Sequence, residues 1–157
     1  MHDDTLFSSY RYSKDDKTIH AVLQDRGDIR SFFNGGWFER YIHHKISELL
    51  QQSQLPYDCL ANPVVKFSNG DSFELDLLFL ISGEPLLIEC KTGGDYNAHL
   101  KKFSDHRKRL SISPEKAFLV MLDLEDAKTE RLSQFWKFQV VNQDRLIALI
   151  EKMINVG

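Results

Sequence analysis

Phe73 to Lys91 reads FELDLLFLISGEPLLIECK. Two apolar runs, Leu75 to Ile81 and Leu86 to Ile88, flank Ser82-Gly83-Glu84-Pro85, the pattern of two antiparallel strands joined by a tight turn. Charge interrupts both runs. Asp76 sits in the first, and Glu89 and Lys91 close the second, where a strand that serves packing alone keeps its apolar pattern. Side chains alternate along a strand, so Glu89 and Lys91 share one face while Ile88 and Cys90 share the other. A hairpin that sets Asp76 beside Glu89 brings two carboxylates and an ammonium to one sheet end. Neighbouring carboxylates repel unless a proton or a cation intervenes. Oxygen ligands of this kind suit Mg2+ or Mn2+ rather than zinc, and the chain carries no Cys/His cluster of zinc spacing.

With 157 residues, of which 42% are apolar, the simplest expectation is one globular domain spanning 1–157 with a core large enough to fold alone. The formal charge of -3 argues against a wholesale basic binder, so contact with nucleic acid has to come from a local patch or from acids neutralised by metal. Cys59 and Cys90 are the only cysteines. Cys90 falls in an expected buried strand and no disulfide framework is suggested, which fits a reduced, cytoplasmic setting. The start, MHDDTLFSSYRYSKDDK, has no apolar signal core, and no later run approaches the roughly 18 apolar residues of a spanning helix, so no membrane partner is expected.

Residues 1–33 read as a peripheral N-terminal layer. Tyr10, Tyr12, Ile19, Val22 and Leu23 suit either a short hairpin or a helix beginning after Lys14-Asp15-Asp16-Lys17, and periodicity does not decide between them. Asn34-Gly35-Gly36 breaks the chain. Trp37 to about Gln52 then reads as an amphipathic helix whose stripe is Phe38, Ile42, Ile46, Leu49 and Leu50. Glu39 falls inside that stripe, between Ile46 and Leu50 around the axis, so its carboxylate is either aimed at the sheet or turned outward at the stripe's edge. Asn62 to Phe67 reads as the first strand, with Ser68-Asn69-Gly70-Asp71 as a hairpin turn. After Lys91, Thr92-Gly93-Gly94 opens a loop and Asn97 to Leu110 reads as a second helix. Ala117 to Leu122, AFLVML, reads as a buried strand. Glu125 to Trp136 suits a helix, Phe138 to Val141 a short strand, and Asp144 to Ile154 a final amphipathic helix.

Asp76 followed thirteen positions later by Glu89-Cys90-Lys91 resembles the PD-(D/E)xK nuclease signature, with Leu75 where the name-giving proline would stand. The order helix, three antiparallel strands, helix, strand, over about 36–122, is similar to the common core of that α/β, restriction-endonuclease-like fold, here with an extra C-terminal helix. More narrowly, GGWFERYI, ELDLLF and LLIECKTGG look like the nuclease domains fused to ligand-sensing CARF domains in CRISPR-associated effectors. At this length the chain is expected to be a stand-alone relative or an excised domain, and activation by cyclic oligoadenylates is not carried over. The resemblance implies a metal-dependent endonuclease that cleaves DNA, and RNA as a second candidate, in antiviral defence. Asp76, Glu89 and the Cys90 backbone carbonyl would ligate Mg2+ or Mn2+, Glu39 would supply an additional acid directly or through water, and Lys91 would orient the attacking water.

Lys101 and Lys108 share one side of the second helix, and Arg107 projects into its apolar stripe. A charge run of this kind is commonly a solvated face. Its position after the acids makes Lys101, Arg107 and Lys108, with Thr92 in the preceding loop, the candidate substrate contacts. His43 and His44 lack metal-protease spacing and read as ordinary helix histidines. A homodimer is left open. Two rivals stand beside the nuclease. One is a catalytically silent member of the same fold that binds nucleic acid or protein. The other is a structural domain whose strand charges protect an exposed sheet edge.

Overall fold

The structure is a computed structural model, and it describes residues 5–156. It divides into two compact units, 1–37 and 38–157. In the first, β1 (Phe7–Ser13) and β2 (Thr18–Leu23) pair antiparallel, with Tyr12 opposite Ile19 and Tyr10 opposite Ala21. The hairpin alternative for this stretch is therefore the one that forms, with Lys14 to Lys17 as its turn. A short helix α1 (Gly27–Ser31) leads into a kinked turn, Phe32–Gly36, in which Gly35 has φ 124°. That is a left-handed conformation that a side chain at this position would oppose.

Helix α2 (Trp37–Gln52) follows, with Phe38, Ile42, Ile46 and Leu50 buried along one side. The second unit then continues through β3 (Tyr57–Ala61), β4 (Val64–Lys66), β5 (Ser72–Glu74), β6 (Leu77–Ile81), β7 (Glu84–Lys91), α3 (Tyr96–Arg109), β8 (Ala117–Met121), α4 (Asp126–Trp136), β9 (Gln139–Val141) and α5 (Gln143–Val156). Five strands make the central sheet in the order β3-β6-β7-β8-β9. The pairs β3/β6 and β6/β7 are antiparallel, and β7/β8 and β8/β9 are parallel.

Alternation along β7 sorts the core into two layers. Leu86, Ile88 and Cys90 pack with Phe38, Ile42 and Ile46 of α2 and with Leu146 and Ile150 of α5. Leu87 packs on the other face with Leu100 and Phe103 of α3. Phe38 is fully buried, so truncation to alanine is expected to cost about 3–5 kcal/mol. Helix α3 is capped by Asp95, whose carboxylate accepts from the backbone N–H of Asn97 at 2.9 Å and of Ala98 at 3.4 Å. This satisfies two of the donors that a helix start leaves open.

The α/β, restriction-endonuclease-like class expected from the sequence stands, and three details differ. The first strand of the central sheet is Tyr57–Ala61, not Asn62 to Phe67; the latter stretch contributes β4, which pairs only with β5 in a separate two-stranded ribbon. Asp76 lies in a bend just before β6 rather than inside the strand. The β6–β7 turn is the two residues Ser82 and Gly83, both with positive φ (50° and 87°), and Glu84 and Pro85 already pair with Ile81 and Leu80. A two-residue loop with both φ values positive matches the twist of its flanking strands.

Candidate active site

Asp76, Glu89 and Lys91 come together where β6 begins and β7 ends. The Lys91 Nζ lies 2.9 Å from Glu89 Oε1 and 3.2 Å from Asp76 Oδ2. Asp76 Oδ2 also accepts the Cys90 backbone N–H at 2.7 Å. Glu89 is only 5% exposed, whereas the Asp76 and Lys91 side chains retain 13% and 21% of their surface, so the cluster opens to solvent on their side. β7 is the middle strand of five, so these charges do not protect a sheet edge, and that rival reading falls away.

The electrostatics follow from burial and crowding. Burial, reinforced by the neighbouring Asp76 carboxylate, holds the Glu89 pKa above its ordinary value, and Lys91 offsets this only partly. Burial works against the Lys91 charge as well, but Glu89 and Asp76 outweigh it and raise the lysine pKa. Lys91 is therefore an ammonium, a cation lodged between two acids. Burial pushes the Cys90 thiol far up, and Asp76, Glu39 and Glu89 add to the shift, which leaves that side chain a neutral core group.

Glu89 Oε2 is buried and has no hydrogen-bond partner. A buried carboxylate oxygen beside a second carboxylate, with no donor to satisfy it, is costly to keep unless a proton or a cation completes it. The donors at hand are hard oxygens, the type that magnesium and manganese take. The residues present thus fit such an ion. Among the described residues, no three His, Cys, Asp or Glu side chains gather closely enough to hold one ion.

Glu39 approaches the cluster from another element, and Asn62, which donates its backbone N–H to the Asp76 carbonyl at 2.9 Å, lies between them. Glu39 belongs to α2, which covers the Cys90 face of β7, while Glu89 shares the Leu87 face covered by α3. The Glu39 carboxylate accepts from Asn62 Nδ2 at 3.0 Å. Thr92, Lys101 and Lys108 are exposed. The Arg107 guanidinium is directed at the protein itself, donating from Nη1 to the Ile112 carbonyl at 2.9 Å, with its Nε buried and unpartnered.

Two features near the site were not read from the sequence. Phe73 stacks on His106 with ring centroids 3.7 Å apart and an 8° interplanar angle, joining the β4–β5 ribbon to α3. Arg109 adds to this junction, 3.9 Å above the Phe67 ring and 3.1 Å from Asp71. The seven-residue spacing of His99 and His106 puts both on one flank of α3, but strand residues such as Phe73 give no local sign of what they stack against.

Two acids and a lysine at one end of paired strands, on a mixed sheet covered by helices on both faces, define a restriction-endonuclease-like nuclease domain. The Card1-like endonuclease domain family matches residues 26–155, and the chain belongs to that family. No curated protein matches it in sequence. Among solved structures, protein VC1899 from Vibrio cholerae superposes with a TM-score of 0.64 at 21% identity, over 94% of this chain and 39% of that one. Can2 from Sulfobacillus thermosulfidooxidans, solved in complex with cyclic tetra-adenylate (cA4), superposes with a TM-score of 0.65 at 20% identity, over 93% of this chain and 42% of that one. At such identities the likeness concerns the fold. The chain spans about two fifths of the length of either protein. No described helix is long and apolar enough to cross a membrane.

Proposed function

We propose that the chain is a metal-dependent endonuclease that hydrolyses phosphodiester bonds of DNA, with RNA as the second candidate substrate, in CRISPR-associated defence. The observation that carries this reading is the buried, unpartnered Glu89 Oε2 beside Asp76, with the Lys91 ammonium between the two acids. Family membership and the fold support it. Asp76, Glu89 and the Cys90 carbonyl would hold a magnesium or manganese ion, and Glu39 would reach it through water from the opposite face of β7. When bound, the ion supplies polarisation of a phosphoryl oxygen and a water of lowered pKa.

The chain's own residues do the remaining work. Lys91 is held by both acids, so its N–H groups are fixed in direction; it orients the attacking water and offsets the negative charge that builds on the phosphoryl oxygens. Its raised pKa makes it a donor and a counter-charge in this state, not a proton acceptor. Thr92, exposed in the loop after Lys91, would contact substrate. Lys101 and Lys108 would meet phosphates further along the strand, while Arg107 serves the α3 terminus by holding the Ile112 carbonyl.

Titrating Mn2+ into the protein with labelled single-stranded and duplex DNA and RNA tests the reading. Cleavage that rises with metal and is absent in Asp76→Asn, Glu89→Gln and Lys91→Ala supports it. Binding without cleavage by any of these substrates would instead make the chain a catalytically silent binder.

A further inference from the structure

Helix α3 carries cations on two flanks, and only one of them faces the acids. At about 100° per residue, His99, Lys102 and His106 share one flank and Lys101 and Lys108 share the other, with the buried Leu100 and Phe103 between them. Contacts on the first flank fix its direction. His106 stacks on Phe73, three residues before Asp76. His99 lies over the loop that continues from Lys91, where a Cβ placed on Gly94 would come within 3.1 Å of His99 Nε2. Lys102 lies one helical turn from each of these histidines.

The charge of Lys102 is felt at both Glu89 and His106. Its side chain is exposed, and it joins none of the ion pairs among the described residues. Arg109, by contrast, is committed to Asp71 and to the Phe67 ring. Lys102 is thus a cation on the flank that faces the acids, in no close ion pair among the described residues. Asp76, Glu89 and Lys91 together carry one formal negative charge, which a divalent ion held there would turn into one positive charge, and a substrate phosphate arriving along this flank of α3 meets Lys102 as a further cation beside them.

We propose that Lys102 is a positioning residue that receives a substrate phosphate beside the acids, and that the nucleic-acid backbone makes its closest approach along the His99–Lys102 flank of α3 rather than the Lys101–Lys108 flank. This rests on the nuclease reading. Lys102 is an exposed residue of α3 rather than part of its buried stripe, and its ammonium acts on the phosphate, leaving water orientation to Lys91.

The test uses the 157-residue protein with fluorescein-labelled 20-nucleotide DNA and RNA strands, with cleavage followed in Mn2+ and binding by anisotropy in Ca2+. Lys102→Ala should raise KM about tenfold with a smaller change in kcat, and reduce the slope of log affinity against log salt by about 0.7–0.9, the loss of one phosphate contact. Lys102→Arg, which keeps the charge, should stay within about threefold of wild type. Lys152→Ala, on α5, controls for loss of one surface lysine and should match wild type. A wild type that cleaves while Lys102→Ala keeps its KM and salt slope overturns the assignment of Lys102 and leaves the nuclease reading standing. A wild type that neither binds nor cleaves any strand overturns both.

Discussion

The carboxylate of Asp76 accepts the backbone N–H of Cys90 at 2.7 Å. Cys90 is the residue between the two charged positions of β7, so this bond fixes Asp76 opposite Glu89 and Lys91 without a further rung of strand pairing. β6 begins pairing only at Leu77, opposite Ile88. Beyond that point the side chain of Asp76 substitutes for a backbone acceptor, and the same oxygen meets the Lys91 ammonium at 3.2 Å.

Asp76 therefore has two roles that substitution separates. Asp76→Asn keeps an oxygen that can accept the Cys90 N–H but loses the charge, so it should melt close to wild type while losing cleavage by a factor of about a thousand or more, since metal and water positioning act as one unit. Asp76→Ala leaves the Cys90 N–H without its acceptor and should in addition cost about 1–3 kcal/mol. For a chain of this size that corresponds to a fall in Tm of about 2–12 °C. Calorimetry beside a cleavage assay reads both. Cleavage surviving in Asp76→Asn at the same metal concentration would remove Asp76 from the catalytic set.

Glu39 should matter less than the clustered residues. It belongs to α2, which covers the Cys90 face of β7, and its carboxylate is engaged by Asn62, so in the proposed reading it acts on the ion through water. Glu39→Gln should reduce cleavage by about tenfold, against the near-total loss in Glu89→Gln, because a water-mediated hydrogen bond tolerates an amide better than direct ligation does. Single-turnover rates in Mn2+ rank the two variants. Equal losses would place Glu39 among the direct ligands.

The parts of this architecture that the sequence made legible are those with a strong period. α2 shows its 3.6-residue stripe, and the end of β7 alternates apolar and charged residues, so both were placed with their faces. β3 was missed because it is an edge strand. Its single partner leaves Leu60 59% exposed and Asp58 in water, and YDCLA carries no apolar alternation. Val64-Val65 looked more strand-like, yet that pair serves a peripheral ribbon. The β1–β2 hairpin stayed ambiguous for a related reason: nearly every side chain in it is exposed, so no face is marked. Lys102 was overlooked because spacing along a helix tells which residues share a flank, whereas which flank meets the acids is decided by the packing of Phe73 on His106.

The Phe73–His106 stack should make stability sensitive to acid. Burial, with the positive charges of Lys102 and Arg109 next, lowers the His106 pKa from 6.5; Lys91 adds to this and Asp105 opposes it. As pH falls below 6.5 the unfolded chain takes up a proton that the folded imidazole resists, so stability is present above that value and lost as pH drops toward the folded-state pKa. His106→Phe preserves a ring against Phe73 and removes the titration. Melting measured from pH 8 to pH 5 should therefore show a smaller fall for His106→Phe than for wild type, and parallel curves would show that His106 titrates normally.

Metal should stabilise the wild type through Glu89, and its removal should expose what that residue costs. Burial and the nearby Asp76 raise the Glu89 pKa from 4.5, so in the metal-free protein the folded state holds this proton more tightly than the unfolded chain does. The penalty for ionised Glu89 is absent well below pH 4.5 and grows as pH rises through the folded-state value. At neutral pH, Glu89→Gln should accordingly raise the Tm of the metal-free protein, while Glu151→Gln on the exposed side of α5 should do little. A ligand that binds only the folded state stabilises it by about 2.7 kcal/mol at a hundredfold excess over Kd. In a chain of this length the corresponding rise in Tm is about 5–11 °C. Mn2+ should produce a shift of that order in wild type and Glu151→Gln, and a much smaller one in Glu89→Gln, because the unpartnered Oε2 that would receive the ion is gone. Equal melting of wild type and Glu89→Gln without metal, together with equal responses to Mn2+, would show that Glu89 is not a ligand and remove the main physical support for a metal-dependent reaction.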